Sequence, residues 1–221
     1  MGASSRGELG MAAKRAIVRA IVGQFGRPRG AIGNVAGWVM AHRLSNRQRN
    51  SWVAALLDVQ PSDRVLEIGF GPGLAIAELN RRVGPAGHVY GIDHSVVMLG
   101  QASRRNAAAI RAGRVTLTLG TVEDLPPALD GPFDAILAVN SIGFWPAPIE
   151  RLKDLRRRLT PGGRIAIASQ PRAVRKTAPE AASEITDLLH AAGFTQPRTE
   201  TLDLDPPVVR VLGVKEAMLH G

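Results

Sequence analysis

There is no cysteine among the 221 residues of this chain. Disulfides, thiolate zinc sites and every mechanism that uses a cysteine nucleophile are therefore excluded. Aromatic residues make up only 4%, with a single tyrosine. No apolar run approaches the roughly 20 residues that a membrane-spanning helix needs. Near the start, Lys14, Arg15 and Arg19 interrupt the apolar residues around Ile17 and Ile21, so no signal-peptide core forms. Met1-Gly2 begins like a myristoylation signal, but Arg6 stands where Ser or Thr is wanted. A cytoplasmic protein is the expectation.

What is present is ordinary globular material, 45% apolar and 21% charged. The length suggests one domain with an appendage. A chain of this size buries roughly 70% of the surface its unfolded form exposes, so it needs no staple. The net charge of +9 is unevenly placed. Arg6, Lys14, Arg15, Arg19, Arg27, Arg29, Arg43, Arg47 and Arg49 face only Glu8 and Asp58 within residues 1–60, and the remainder is nearly neutral. Such a basic head suits nucleic acid, anionic lipid or an acidic substrate, or is simply a solvated helical face. With no tyrosine and only Phe25 as phenylalanine, it makes a poor stacking surface for single strands.

The first sixty residues read as helical. Residues 9–25 carry Ala13, Ile17 and Ile21 at helical spacing, and Gly26-Arg27-Pro28-Arg29-Gly30 breaks the run. A second stretch over 31–43 holds Trp38 and Met40, and a third, capped by Ser45 or Asn46, carries Trp52, Leu56 and Leu57 toward Pro61. Beyond Pro61 the rhythm changes. Strands are expected at 64–68, 88–92, 115–119, 133–139, 164–169 and 208–214, with helices at 74–83, 96–111, 149–159 and 180–192. This alternation predicts a doubly wound α/β fold with a mostly parallel sheet covered on both faces. The expected division is a helical head, 1–60, and a ligand-binding domain, 61–221.

Glu67-Ile68-Gly69-Phe70-Gly71-Pro72-Gly73 joins the first strand to its helix. Glycines there allow a tight turn and close approach of a ligand to the backbone, with a helix N-terminus just beyond. Asp93 ends the second strand, where an acid can bond both hydroxyls of a ribose. Strand, turn, helix, strand and acid in that order point to a nucleoside. The spacing G-x-G-x-G differs from the G-x-G-x-x-G of a dinucleotide loop. Glu67, two residues before the first glycine, is a poor neighbour for pyrophosphate and a suitable one for a cationic amino group.

Residues 64–193 resemble a class I S-adenosylmethionine-dependent methyltransferase, with a seven-stranded Rossmann-like sheet as the implied fold. The stretch from Val65 to Gly73 is similar to that family's first motif, and Gly91-Ile92-Asp93-His94-Ser95 with Met98-Leu99 to its acidic second. Gly120-Thr121-Val122-Glu123-Asp124-Leu125-Pro126 resembles the segment that sets an acid against the adenine. The run from Phe133 to Asn140 resembles the fourth strand, and that from Leu159 to Arg164 the turn before the fifth.

The resemblance implies that Asp93 takes the ribose and Asp124, or its neighbour Glu123, the adenine amino group. Glu67 and the backbone at Gly69 and Asn140 would hold the methionine end, and Phe70, Gly71 and Gly73 of the glycine loop would also bind the cofactor. His94 and Met98 would pack near the adenine. Asp124 as a turn acid and Met98 as a core residue are the plain alternatives.

The acceptor can be narrowed. Cytosine C5 chemistry wants the missing cysteine. Asn140-Ser141-Ile142-Gly143-Phe144-Trp145-Pro146 shares only its first residue with the Asn/Asp-Pro-Pro-aromatic turn of amino-methylating DNA enzymes. The paired glutamates of protein-arginine enzymes are missing, and no acidic cluster offers a magnesium site. A small organic acceptor or a lipid headgroup remains. Phe144 and Trp145 form its aromatic wall or merely pack the loop. Trp38, Met40 and His42 in the head supply a lid, or the pocket stays open, His42 being the candidate base or an exposed helical residue.

Other readings are a membrane-surface enzyme for a phospholipid amine or quinone, anchored by residues 9–29, and a nucleotide-binding module without catalysis. Nucleic acid is not an expected partner, and a homodimer is left open.

Overall fold

The computed structural model describes residues 44–171 and 176–217. Helix α1 (Leu44–Leu56) leads into strand β1 (Arg64–Ile68). There follow α2 (Leu74–Arg82), β2 (His88–Asp93), α3 (Val96–Arg105), α4 (Ala107–Arg111) and β3 (Val115–Leu119). The second half holds β4 (Phe133–Val139), α5 (Pro148–Arg157), β5 (Leu159–Ser169), α6 (Ala178–Ala191), β6 (Thr195–Leu202) and β7 (Val208–Val214). Seven strands form one sheet in the order β3-β2-β1-β4-β5-β7-β6, with β7 antiparallel to both of its neighbours. The doubly wound α/β architecture is thus observed.

The central strands are apolar on both faces, as strands covered on both sides must be. Val65, Val89, Ala135 and Leu137 point to one face, where they pack with Val53, Ala54 and Leu57 at the end of α1, Ile76 and Leu79 of α2, and Met98 and Ala102 of α3. Leu66, Ile68, Ile136 and Ile165 point to the other, against Leu152 and Leu155 of α5 and Ile185 and Leu189 of α6. Helix α1 is therefore part of the sheet's covering layer. Its last carbonyls are gripped by two arginines, Arg164 Nε on Leu57 at 2.5 Å and a guanidinium nitrogen of Arg210 on Leu56 at 2.6 Å. Ser45 and Asn46, expected to cap α1, lie within it.

Four differences from the expected elements have physical causes. The single helix expected over 96–111 breaks at Asn106, whose side-chain amide donates to the carbonyls of Gly73 (3.2 Å) and Ala102 (2.9 Å). Helix α6 starts two residues early because Thr177 and Glu180 form a reciprocal capping box. Strand β5 begins before the Pro161-Gly162-Gly163 turn rather than after it, with a register shift opposite Phe133 and Ala135. The amide of Gly162 and the carbonyl of Gly163 are held by Lys215 beyond β7. Strand β6 had no counterpart among the expected strands. It is a polar, largely exposed edge strand paired with β7 and so lacks the apolar alternation of a buried one.

Candidate functional site

The strand order reverses between β1 and β4, and in open α/β sheets a crevice forms at the carboxyl ends beside that reversal. The chain leaves β1 through Gly69, which has φ +76°, and a Cβ there would stand 2.8 Å from Cβ of Ser141. The Ser141 hydroxyl in turn donates to the Ile68 carbonyl at 3.0 Å. The loops after β1 and β4 are thus packed directly on each other. At Gly71, φ is +53° and an added Cβ would meet nothing within 4 Å, so this part of the turn borders open space. The amide of Gly71 donates to Oδ2 of Asp93 at 2.8 Å, and the amide of Ser95 to Oδ1 at 2.9 Å. The acid that ends β2 is buried and holds the glycine turn in place.

Glu67 lies beneath this turn, only 2% exposed. Its Oε2 has no hydrogen-bond partner. Burial pushes its carboxyl well above the ordinary carboxylate value, and the charge of Asp93 adds to the rise. The Arg49 guanidinium and the Ile76 amide in the first turn of α2 oppose it. Asp93 is raised as well, by burial, against the amides of Ser95 and Gly71 and the charge of His94. Two desolvated carboxylates at one crevice suit a ligand that brings positive charge.

On the β5 side, Asn140 takes a left-handed conformation, φ +54°, just past β4. Its Oδ1 accepts the Gln170 amide at 2.7 Å. Gln170 follows β5 and extends its side chain both ways, Oε1 accepting from Arg49 at 2.9 Å and Nε2 donating to the Pro206 carbonyl at 2.8 Å. Asn140 is among the site residues expected from the sequence, whereas Gln170 and Arg49 are not. Gln170 was detectable as the residue at the carboxyl end of a central strand. Arg49 was counted only among the charges of the head.

The other expected site residues are distributed as follows. His94 is half exposed, with Nδ1 3.8 Å from Oδ1 of Asp93. Met98 and Phe70 are both buried in the core on the α1 face. Glu123 and Asp124 are exposed in the turn after β3, and the Glu123 carbonyl accepts from Arg151 at 3.2 Å. Of the two aromatic residues after β4, Phe144 is 68% exposed, whereas Trp145 is 8% exposed and belongs to the core on the other face. Trp38, His42 and the segment 9–29 lie outside the described residues. Among the described residues, no group of three or more His, Cys, Asp or Glu could hold a metal ion, and no helix is long and apolar enough to cross a membrane.

A family model described as a methyltransferase domain matches residues 65–163. The uncharacterized methyltransferase YdaC of Bacillus subtilis is 35% identical over 62% of this chain and 72% of its own length. The chain belongs to the class I S-adenosylmethionine-dependent methyltransferases. Nocamycin O-methyltransferase of Saccharothrix syringae is 29% identical to this methyltransferase, over 71% of this chain and 69% of that one. The crystal structure of a SAM-dependent methyltransferase from Aquifex aeolicus shares its fold, with TM-score 0.61 and 21% identity over 75% of this chain and 88% of that one. The chain spans 30% to 50% of the length of four further curated relatives.

Proposed function

We propose that this methyltransferase transfers a methyl group from S-adenosylmethionine to a small organic acceptor, by in-line displacement and mainly through positioning. The observation that carries the reading is Glu67, a buried carboxylate with an unpartnered oxygen beneath an open glycine turn that Asp93 holds. These residues fit the cofactor's chemistry. Glu67 offers a desolvated negative charge to its ammonium group, and Asp93 retains lone pairs for two ribose hydroxyls. Gly71 leaves room for close approach, and the backbone at Gly69 and Asn140 faces the methionine end. Asp124, or Glu123 beside it, would accept from the adenine amino group, with His94 nearby, whereas Met98 serves the core beneath.

When bound, S-adenosylmethionine supplies a methyl group on a sulfonium, a good leaving group. Holding donor and acceptor in line is worth on the order of 7–11 kcal/mol, so the chain's main task is orientation. Phe144 offers the acceptor an apolar wall at the rim. Helix α1 runs antiparallel to β5, since Arg49 meets Gln170 past the end of β5 and Leu57 meets Arg164 in the middle of the strand. The head therefore joins the fold at the carboxyl edge. From there, residues 1–43 would cover the crevice and exclude water, with Trp38 against the acceptor and His42 as the base if the acceptor carries a proton to remove. The name of the nocamycin relative supports an organic acceptor of this kind.

Release of S-adenosylhomocysteine across a mixed panel of metabolites and lipids tests the reaction, and calorimetry with S-adenosylmethionine against NAD tests the ligand. Binding of NAD and not S-adenosylmethionine would overturn the reading. Turnover confined to lipid acceptors, with salt-sensitive sedimentation on anionic vesicles, would move the acceptor to a membrane surface.

A further inference from the structure

Arg49 has no part in the reading above, yet its guanidinium is buried at the same edge. Along α1, the inward stripe of Val53, Ala54 and Leu57 is wholly apolar and fully buried. One turn earlier, where another apolar side chain would continue that stripe, stands Arg49, 7% exposed. Arginine in such a position needs a specific reason, because desolvating a guanidinium is expensive unless it is paired and hydrogen-bonded.

The hydrogen bonds around it show how it is aimed. Gln170 has its Nε2 committed to the Pro206 carbonyl and its backbone amide to Asn140. Its Oε1 therefore faces α1 and accepts from Arg49. The guanidinium is located by residues following β4, β5 and β6. Glu67 stands two residues after Val65 on β1 and so points to the same α1 face as Val53 and Ala54, one turn beyond Arg49. There its carboxyl feels the charges of Asp93 from β2 and Arg49 from α1 and the amide of Ile76 from α2, with His94 beside Asp93. Two carboxylates in one desolvated site repel each other, and Arg49 supplies the opposing charge, while Glu67 Oε2 keeps no hydrogen-bond partner.

We propose that Arg49 is a positioning residue, the buried counter-charge that keeps the Glu67 carboxylate available to the cofactor's ammonium group, and that Gln170 aims it. The inference rests on the methyltransferase reading. It makes α1 part of the cofactor site and gives that helix a purpose beyond covering the sheet.

The test is calorimetric titration of the full chain between pH 5.5 and 9, with two probes. One is S-adenosylmethionine; the other is methylthioadenosine, which keeps the nucleoside thioether but lacks the amino-acid end. Affinity of the wild type for S-adenosylmethionine falls toward low pH as Glu67 takes a proton. Arg49→Met is expected to move that fall upward by about one pH unit and to weaken binding roughly tenfold at pH 7. Arg49→Lys, which keeps the charge, is expected to restore most of both, and Gln170→Leu to behave as a weaker Arg49→Met. Methylthioadenosine should bind all variants alike.

Loss of affinity in Arg49→Met with an unmoved pH profile would overturn the inference and assign the guanidinium to the methionine carboxylate instead. Parallel loss of methylthioadenosine would overturn it in favour of a purely structural role. A wild type that binds neither probe would overturn the methyltransferase reading itself, whereas a wild type that binds and an unaffected Arg49→Met would sink this inference alone.

Discussion

Oδ2 of Asp93 accepts the amide hydrogen of Gly71 at 2.8 Å, so the residue that ends β2 also holds the middle of the glycine turn. One carboxylate shapes the loop and faces the crevice. Asp93→Ala would remove both effects, leaving the Gly71 and Ser95 amides without their acceptor. Charge-assisted bonds of this kind contribute about 1.5–3 kcal/mol each. Affinity for S-adenosylmethionine should therefore fall at least about tenfold for a single lost bond. Asp93→Asn, which retains one acceptor oxygen, should lose less. Calorimetry with circular dichroism as the folding control would decide, and undiminished binding by Asp93→Ala would remove the residue from the site.

Gly71 separates strain from contact. Its φ of +53° makes any side chain unfavourable there, at a cost of roughly 1–2 kcal/mol. An added methyl meets no protein atom within 4 Å, so the folded chain has room for it. Gly71→Ala should accordingly melt only a few degrees lower while losing cofactor affinity by a larger margin, because the methyl would occupy the ligand's space. Equal losses in melting temperature and affinity would mean that the turn is structural and touches no ligand.

Much of this architecture is legible in the amino-acid sequence. The central strands are continuous apolar runs, and the glycine turn with Glu67 and Asp93 has a spacing that only a few ligands satisfy. Strand β6 was hidden because Thr195 to Leu202 is mostly polar, as an exposed edge strand is free to be. The break at Asn106 was hidden because it depends on a carbonyl 33 positions away, that of Gly73. Trp145 and Phe144 are neighbours of similar chemistry, and only packing reveals that one is buried and the other exposed. Arg49 looked like surface charge because its partner, Gln170, is 121 residues distant. Local patterns survive in sequence, whereas long-range polar pairing does not.

Glu67 gives a stability prediction with a definite sign. Its carboxyl in the folded chain sits well above the ordinary value of 4.5, so the folded state holds the proton more tightly than the unfolded state does. Its favourable contribution is complete below that ordinary value and is lost as pH rises through the folded value. Above that ordinary value the unfolded chain ionises more readily than the folded one, so the wild type bears a cost that Glu67→Gln never acquires. The variant should melt above the wild type at pH 8, with the gap closing below about pH 4.5, while its binding of S-adenosylmethionine weakens. A melting gap independent of pH between 4 and 8 would contradict this.

Removal of residues 1–43 takes away the part of the head that precedes α1 and spares the cofactor crevice, since the described fold, beginning with α1, retains Glu67, Arg49 and Asp93. Acceptor turnover should fall by at least an order of magnitude, and the dissociation constant for S-adenosylmethionine should change by less than about threefold, or ~0.6 kcal/mol. Single-turnover assays and calorimetry on the same preparation would measure both. Full-rate methylation by the shortened chain would show that the crevice needs no cover from the head.

Phe144 and Trp145 form the sharpest matched pair, because they are adjacent in sequence and opposite in environment. Phe144 is largely exposed at the carboxyl edge, and its removal leaves no cavity in the core, so Phe144→Ala should change stability by no more than about 0.5 kcal/mol. If its ring forms a wall for the acceptor, the same change should raise KM for an apolar acceptor severalfold and leave cofactor binding intact. Trp145 is packed in the core on the α5 and α6 face, and Trp145→Ala should cost about 3–5 kcal/mol through lost burial and the cavity left behind. Denaturant melts and acceptor kinetics on the two variants would test the assignment together. An unchanged acceptor KM in Phe144→Ala would move the wall elsewhere on the rim, and a mild Trp145→Ala would mean that its side chain is not part of the core after all.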